Sequence, residues 1–142
     1  MGQKSAEIAI LLRVQSWSVD EQRRLLGQIV AREEALREDR AALDRELIQE
    51  QKIAMEQPMS AGRSYAVYAQ LYRDKAAHLD GVIQAVAAEA AAQRDRLADA
   101  YKELKVLEQV RKNWLKTERE AAARTEQSEM DEIAMTLHRR SF

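Results

Sequence analysis

Cysteine is absent from the 142-residue chain, which rules out a disulfide framework and thiolate chemistry. Only four glycines occur, and none belongs to a Gly-x-x-x-x-Gly-Lys loop, so the chain is not itself a P-loop NTPase. The two histidines, His78 and His138, have no second histidine or cysteine near them. No zinc pattern results, and both read as solvated helix residues. Aromatic residues make up 5 % of the chain, too few for a globular core of normal thickness. The longest apolar run, Ile8 to Leu12, falls far short of the roughly 20 residues that span a bilayer. It also lacks a small-residue cleavage site, so the chain is expected to be neither secreted by a signal peptide nor inserted in a membrane. Neither sign of charge dominates. Lys and Arg number 23 against 24 Asp and Glu, and the net charge is −1. A nucleic-acid binder needs a basic face, which this balance does not supply.

Proline occurs once, and that near-absence organises everything else. Pro58 lies in Glu56-Gln57-Pro58-Met59-Ser60-Ala61-Gly62, between two long segments rich in Ala, Glu, Leu and Arg. Such composition marks long helices or coiled coil. The expected fold is all-α, an antiparallel two-helix coiled-coil hairpin with unequal arms. Arm one is expected over about 5–57, the turn over about 58–63 and arm two over about 64–137.

Both arms carry a seam. In arm one Val19, Leu26, Leu36, Leu43 and Leu47 share a face, with Ile29 beside it and polar gaps at Glu33 and Arg40. In arm two the seam runs Leu79, Ile83, Val86, Ala90, Gln93, Leu97, Ala100, Leu104, Leu107, Arg111 and Trp114. Every step is three or four residues. A fold centred near Met59 sets Leu47 opposite Tyr72, Leu36 opposite Ile83 and Ile29 opposite Ala90. Ser18-Val19-Asp20-Glu21 also fits a capping box, which would start a new helix there. The apolar spacing from Leu11 through Val14 to Ser18 favours one continuous helix instead.

The arms differ in length, so arm two is expected to lack an intrachain partner after about residue 119. That segment carries Met130, Ile133, Ala134 and Leu137 at i, i+3, i+4 and i+7. Arm one brings Ile8, Ile10, Leu11 and Leu12, apolar on more sides than one neighbour covers. Exposed apolar patches of this kind mark partner sites.

Catalysis finds no foothold. Glu33-Glu34 and Glu38-Asp39 have no apolar cleft to shift their acidity and read as a hydrated face. No serine has a base at useful spacing. Trp114 falls on the seam, so the basic stretch Arg111 to Lys116 reads as core tryptophan with solvated flanks. Tyr65, Tyr68 and Tyr72 either seal the turn end or anchor a partner. The expectation is a non-enzyme without cofactor or metal.

Several stretches resemble the FliJ family of flagellar type III export. They are Leu11-Leu12-Arg13-Val14 followed by Asp20-Glu21-Gln22-Arg23-Arg24-Leu25-Leu26-Gly27, then Met59-Ser60-Ala61-Gly62 leading into Tyr68-Ala69-Gln70-Leu71-Tyr72, and Glu126-Gln127-Ser128-Glu129-Met130-Asp131-Glu132-Ile133-Ala134. The resemblance implies a stalk-like coiled coil that docks in the ring of a hexameric FliI-like export ATPase, promoting its assembly and activity. It further implies contact with a FlhA-like export gate and with export chaperones, in the service of motility. The implied ATPase-binding positions are Leu11, Leu12, Arg13, Arg24, Leu26, Glu126, Gln127, Asp131, Glu132 and Ile133. The implied gate-binding positions are Leu43, Tyr72, Leu79 and Ile83, with Glu46 and Glu50 on arm one where an aromatic-rich surface is expected. The alternatives are a stalk protein of an injectisome-type system and a generic coiled-coil adaptor or homodimeric scaffold joined through the same seam.

Overall fold

The computed structural model describes residues 2–141, apart from the side chain at position 61. Among the described residues there are two helices and no strand: α1, Gly2–Glu56, and α2, Pro58–Arg140. Only residue 57 separates them. The turn expected over about 58–63 is therefore replaced by one linking residue, and Ser60 and Gly62 lie inside α2. Pro58 explains the difference. At the first position of a helix its missing N–H would be unpaired in any case, and its fixed φ already suits the helix. The same ring bars helical geometry at the residue before it, so Gln57 becomes the break. Gln57 N donates to Ile53 O at 3.0 Å, closing α1, and the Ser60 hydroxyl donates to Gln57 Oε1 at 3.4 Å.

The chain divides into two compact units, Asp20–Ala98 and the pair of segments Met1–Val19 with Asp99–Phe142. Within Asp20–Ala98 the helices run antiparallel. Gln51 Nε2 donates to Tyr65 OH at 3.2 Å, Tyr72 OH to Asp44 Oδ1 at 2.5 Å and Arg40 Nε to Asp80 Oδ1 at 2.9 Å. Further from the link, Arg32 pairs with Glu89 and Gln93 with Gln22. Each step back along α1 is matched by a step forward along α2. The apolar centre of this unit is Ile29, Val86 and Ala90, with Leu26, Leu36 and Val82 packed around it. Ala90 is fully buried, and its small side chain gives Ile29 room.

A polar layer interrupts the seam. Gln93 is only 2 % exposed. Its amide donates to Gln22 Oε1 at 2.6 Å and to the Gln22 carbonyl at 3.1 Å, and its own oxygen accepts from Arg96 at 3.3 Å. A buried amide left unpaired costs about 1–3 kcal/mol. Sliding either helix would strand this one, so the layer fixes the register.

The unit built from the chain's two end segments repeats the antiparallel pattern. Gln15 Nε2 donates to Ala100 O at 2.9 Å, and Lys4 Nζ sits 4.7 Å from the centre of the Trp114 ring. Ile8, Val19 and Ala100 are buried here, and Leu12, Leu104, Leu107 and Trp114 half-buried. Arg111, expected on the seam, is exposed; its flexible stem carries the guanidinium into water. Helix α1 passes through Ser18 without a break. The capping box is unused because Val19, 3 % exposed, is held in the seam. A cap contributes about 1 kcal/mol, less than the roughly 1.5–3 kcal/mol of a buried valine.

Burial, not ion pairing, dominates the energetics. Arg32–Glu89 and Arg24–Glu21 are half-exposed pairs, each of a kind worth about 0–1 kcal/mol. We expect Ala90→Leu to destabilise by roughly 1–3 kcal/mol through overpacking. At Gly81 an added Cβ meets nothing within 4 Å. Gly81→Ala should therefore stabilise by up to about 1 kcal/mol. Urea melts of the two variants must move in opposite directions; equal shifts would disprove this packing.

Candidate functional site

Two regions hold the positions that the resemblance singled out. The first is the outer part of the unit formed by the end segments. Every described side chain from 122 to 141 is exposed, and Met130, Ile133 and Leu137 each show about 60 % of their surface. On α1, Ile10, Leu11, Val14 and Trp17 are between 52 % and 64 % exposed. Leu11 and Arg13 are thus available to a partner, whereas Leu12 is half-buried on the seam. Glu126, Gln127, Asp131, Glu132 and Ile133 all face solvent, and Gln127 Nε2 donates to Asp131 Oδ1 at 3.0 Å. Arg24 and Leu26 belong to the other unit. There Arg24 grips Glu21 with bonds of 2.6 and 3.0 Å, and Leu26 packs against the Ile29 cluster. The Arg24 hydrogen bonds hold the Glu21 carboxyl below its usual range.

The phase of the exposed stripe matters more than its hydrophobicity. Along α2 the covered positions run Ala100, Leu104, Leu107, Trp114, Glu118 and Ala121, with Leu115 half-buried beside them. Continued at the same spacing they reach Thr125, Ser128 and Glu132, all polar, and then Met135, which is exposed. The stripe Met130, Ile133, Leu137 is rotated from that line by roughly 140° at 100° per residue. It points away from the face that α2 turns to α1.

The second region lies within Asp20–Ala98. Leu43 and Ile83 are 9 % and 8 % exposed, so they build the seam and offer little to a partner. Leu79 and Tyr72 are half-buried. Leu43 and Leu79 nevertheless line an open groove of about 610 Å³, flanked by Asp39, Ala42, Glu46, Asp74, Lys75 and His78. Next to it stands a polar knot that sequence patterning did not disclose. Arg40 donates to Asp44 at 2.5 Å and to Asp80 at 2.9 Å, and lies over the Tyr72 ring. These partners push the Arg40 guanidinium further toward its charged form. The Tyr72 hydroxyl, then Arg40, hold the Asp44 carboxyl below its usual range. The available clue was Arg40 itself, an arginine at a seam position that requires acids within reach. Nearby, the buried Tyr68 hydroxyl has no hydrogen-bond partner among the described residues. Burial first, then Glu46 and Glu50, raise its pKa.

Among the described residues no cluster of His, Asp or Glu is arranged to hold a metal ion, and the grooves are open surfaces on helix pairs. Because the folded Asp44 pKa is depressed, its contribution to stability is present above the unfolded value of about 3.9. That contribution disappears as pH falls through the folded value. We expect Asp44→Asn to lower the urea midpoint at pH 7, by an amount that shrinks as pH falls below the unfolded value. A deficit that persists at low pH would contradict the role given to this carboxylate.

Comparison with known proteins adds identity to this geometry. No curated protein and no solved structure matches the chain. A family-level match to the flagellar FliJ protein covers residues 5–141, nearly the whole length. The family is coiled-coil, non-catalytic and part of the flagellar export apparatus. The chain belongs to the FliJ family of flagellar proteins.

Proposed function

We propose that the chain is the stalk-like coiled coil of a flagellar export ATPase complex. It docks in the ATPase ring, promotes ring assembly and ATP hydrolysis, and couples the ring to the export gate. The observation that carries this reading is the exposed apolar surface of the end-segment unit, together with the family match. Large apolar side chains on a solvated helix raise the cost of staying unbound, and covering them drives association. Leu11, Arg13, Glu126, Gln127, Asp131, Glu132 and Ile133 are accessible to such a partner. Leu12 and Leu26 act by holding the helix pair, and Arg24 through its surface charge.

The gate contact is assigned to the groove over Leu43 and Leu79. Tyr72 and Ile83 do not line that groove, and their share in the gate contact is to hold the helix pair together beneath it. Lys75 and His78 on its rim supply the polar contacts. Export chaperones are further partners of the same apparatus. No helix among the described residues is long and apolar enough to cross a membrane, so recruitment to the cytoplasmic face of the inner membrane runs through these partners.

Size-exclusion chromatography with the export ATPase of the same organism tests the docking. The wild-type chain should co-elute and stimulate hydrolysis. Leu11→Asp combined with Ile133→Asp should keep its helical circular dichroism, since both side chains are exposed, yet lose co-elution. Lys75→Glu with His78→Glu should retain ATPase binding and lose the gate. Unchanged hydrolysis with the wild-type protein would end the stalk reading, and undiminished ATPase binding by the first variant would end the assignment of the surface.

A further inference from the structure

The exposed stripe of α2 has a sequence of its own kind. In order it reads Glu126, Met130, Ile133, Leu137 and Arg140, at spacings of four, three, four and three residues. An acid stands at one end, a base at the other and three large apolar side chains between them. All five are exposed. Glu129 and Arg140 also border the furrow that Ile133 and Leu137 form along the helix. Among the described residues no ion pair engages Glu126, Glu129 or Arg140, although nearby acids and bases elsewhere on both helices pair freely.

That pattern is self-complementary about Ile133. Rotate a second copy by 180° about an axis through this residue and its helix runs antiparallel to the first. Ile133 then meets Ile133 of the second copy, Met130 meets the region of Leu137, and Glu126 meets Arg140. A parallel pairing would bring acid to acid and base to base. A two-fold contact of this type is closed, so it yields a dimer and not a filament.

The chain cannot satisfy the stripe by itself. Helix α2 is unbroken to Arg140, with no proline or glycine after Gly81 to let it fold back. The stripe is also turned away from the line that meets α1. We propose that residues 126–140 form an antiparallel two-fold contact with the same residues of a second copy of this chain. Three apolar side chains per copy make a short contact, so the dimer is weak and reversible. It differs from a scaffold joined through the seam, because the seam stays closed within each chain. If the docking role proposed above holds, the dimer also hides the docking stripe until the ATPase competes for it.

Sedimentation equilibrium of the chain alone tests the pairing. The wild type should pass from monomer to dimer as concentration rises, more readily at low salt. Ile133→Asp should remain monomeric with unchanged helicity. Glu126→Arg and Arg140→Glu should each weaken the dimer roughly tenfold, because symmetry counts every altered pair twice. The double variant should restore wild-type affinity. A wild type that stays monomeric up to millimolar concentration, a dimer indifferent to Ile133→Asp, or a double variant weaker than either single one overturns the proposal. Since no ATPase is present, such a result leaves the docking reading standing. Loss of ATPase co-elution with the dimer intact would do the reverse.

Discussion

Two helices can hide only one stripe of each from water. This limit governs the whole molecule. A globular domain buries its surplus apolar residues in a third or fourth layer, whereas a two-helix pair has no further layer to use. Its interior is a single file of positions such as Ile29, Val86, Ala90 and Gln93. Polar side chains therefore lie within reach of every apolar one, which is why arginine and glutamine can occupy seam positions. Arg40 keeps its charge solvated and paired at the edge. Gln93, truly buried, needs its bonds to Gln22.

The seam was legible because heptad spacing survives in an Ala-rich sequence. From Leu79 to Leu107 each expected position is buried or half-buried. Legibility failed where a local signal competed with a distant one. Ser18 to Glu21 spell a cap, yet burial of Val19 outweighs it, and the helix runs on. Pro58 was read as part of a loop, although a proline that opens a helix needs none. Arg111 has seam spacing but a side chain long enough to leave the seam. In each case the spacing was right and the energy of one residue decided the outcome.

The candidate sites were legible to different degrees, for a related reason. Exposed apolar residues such as Ile133 and Leu137 stand out in a sequence because nothing nearby accounts for them. Leu43 and Ile83 do not stand out in this way. A leucine on the seam looks the same whether it holds a partner helix or a partner protein, and the structure finds both largely covered. The Arg40, Asp44, Tyr72 and Asp80 knot was invisible for a third reason. Its members lie on two helices, and only the register brings Asp80 beside Arg40.

Register also separates the parts of α2 by task. Up to Ala121 most of its covered apolar positions follow the seven-residue beat that meets α1, whereas Tyr101, Val106 and Val110 lie off it and exposed. Beyond it, that beat lands on Thr125, Ser128, Glu132 and Met135, while Met130, Ile133 and Leu137 share another face. A new and coherent phase means that a different surface is being presented. An α1 extended alongside α2 in the same geometry would still face the line of Thr125, Ser128 and Glu132. A surface that covers Met130, Ile133 and Leu137 must approach from a side other than that of α1, which is the side the proposed second copy takes.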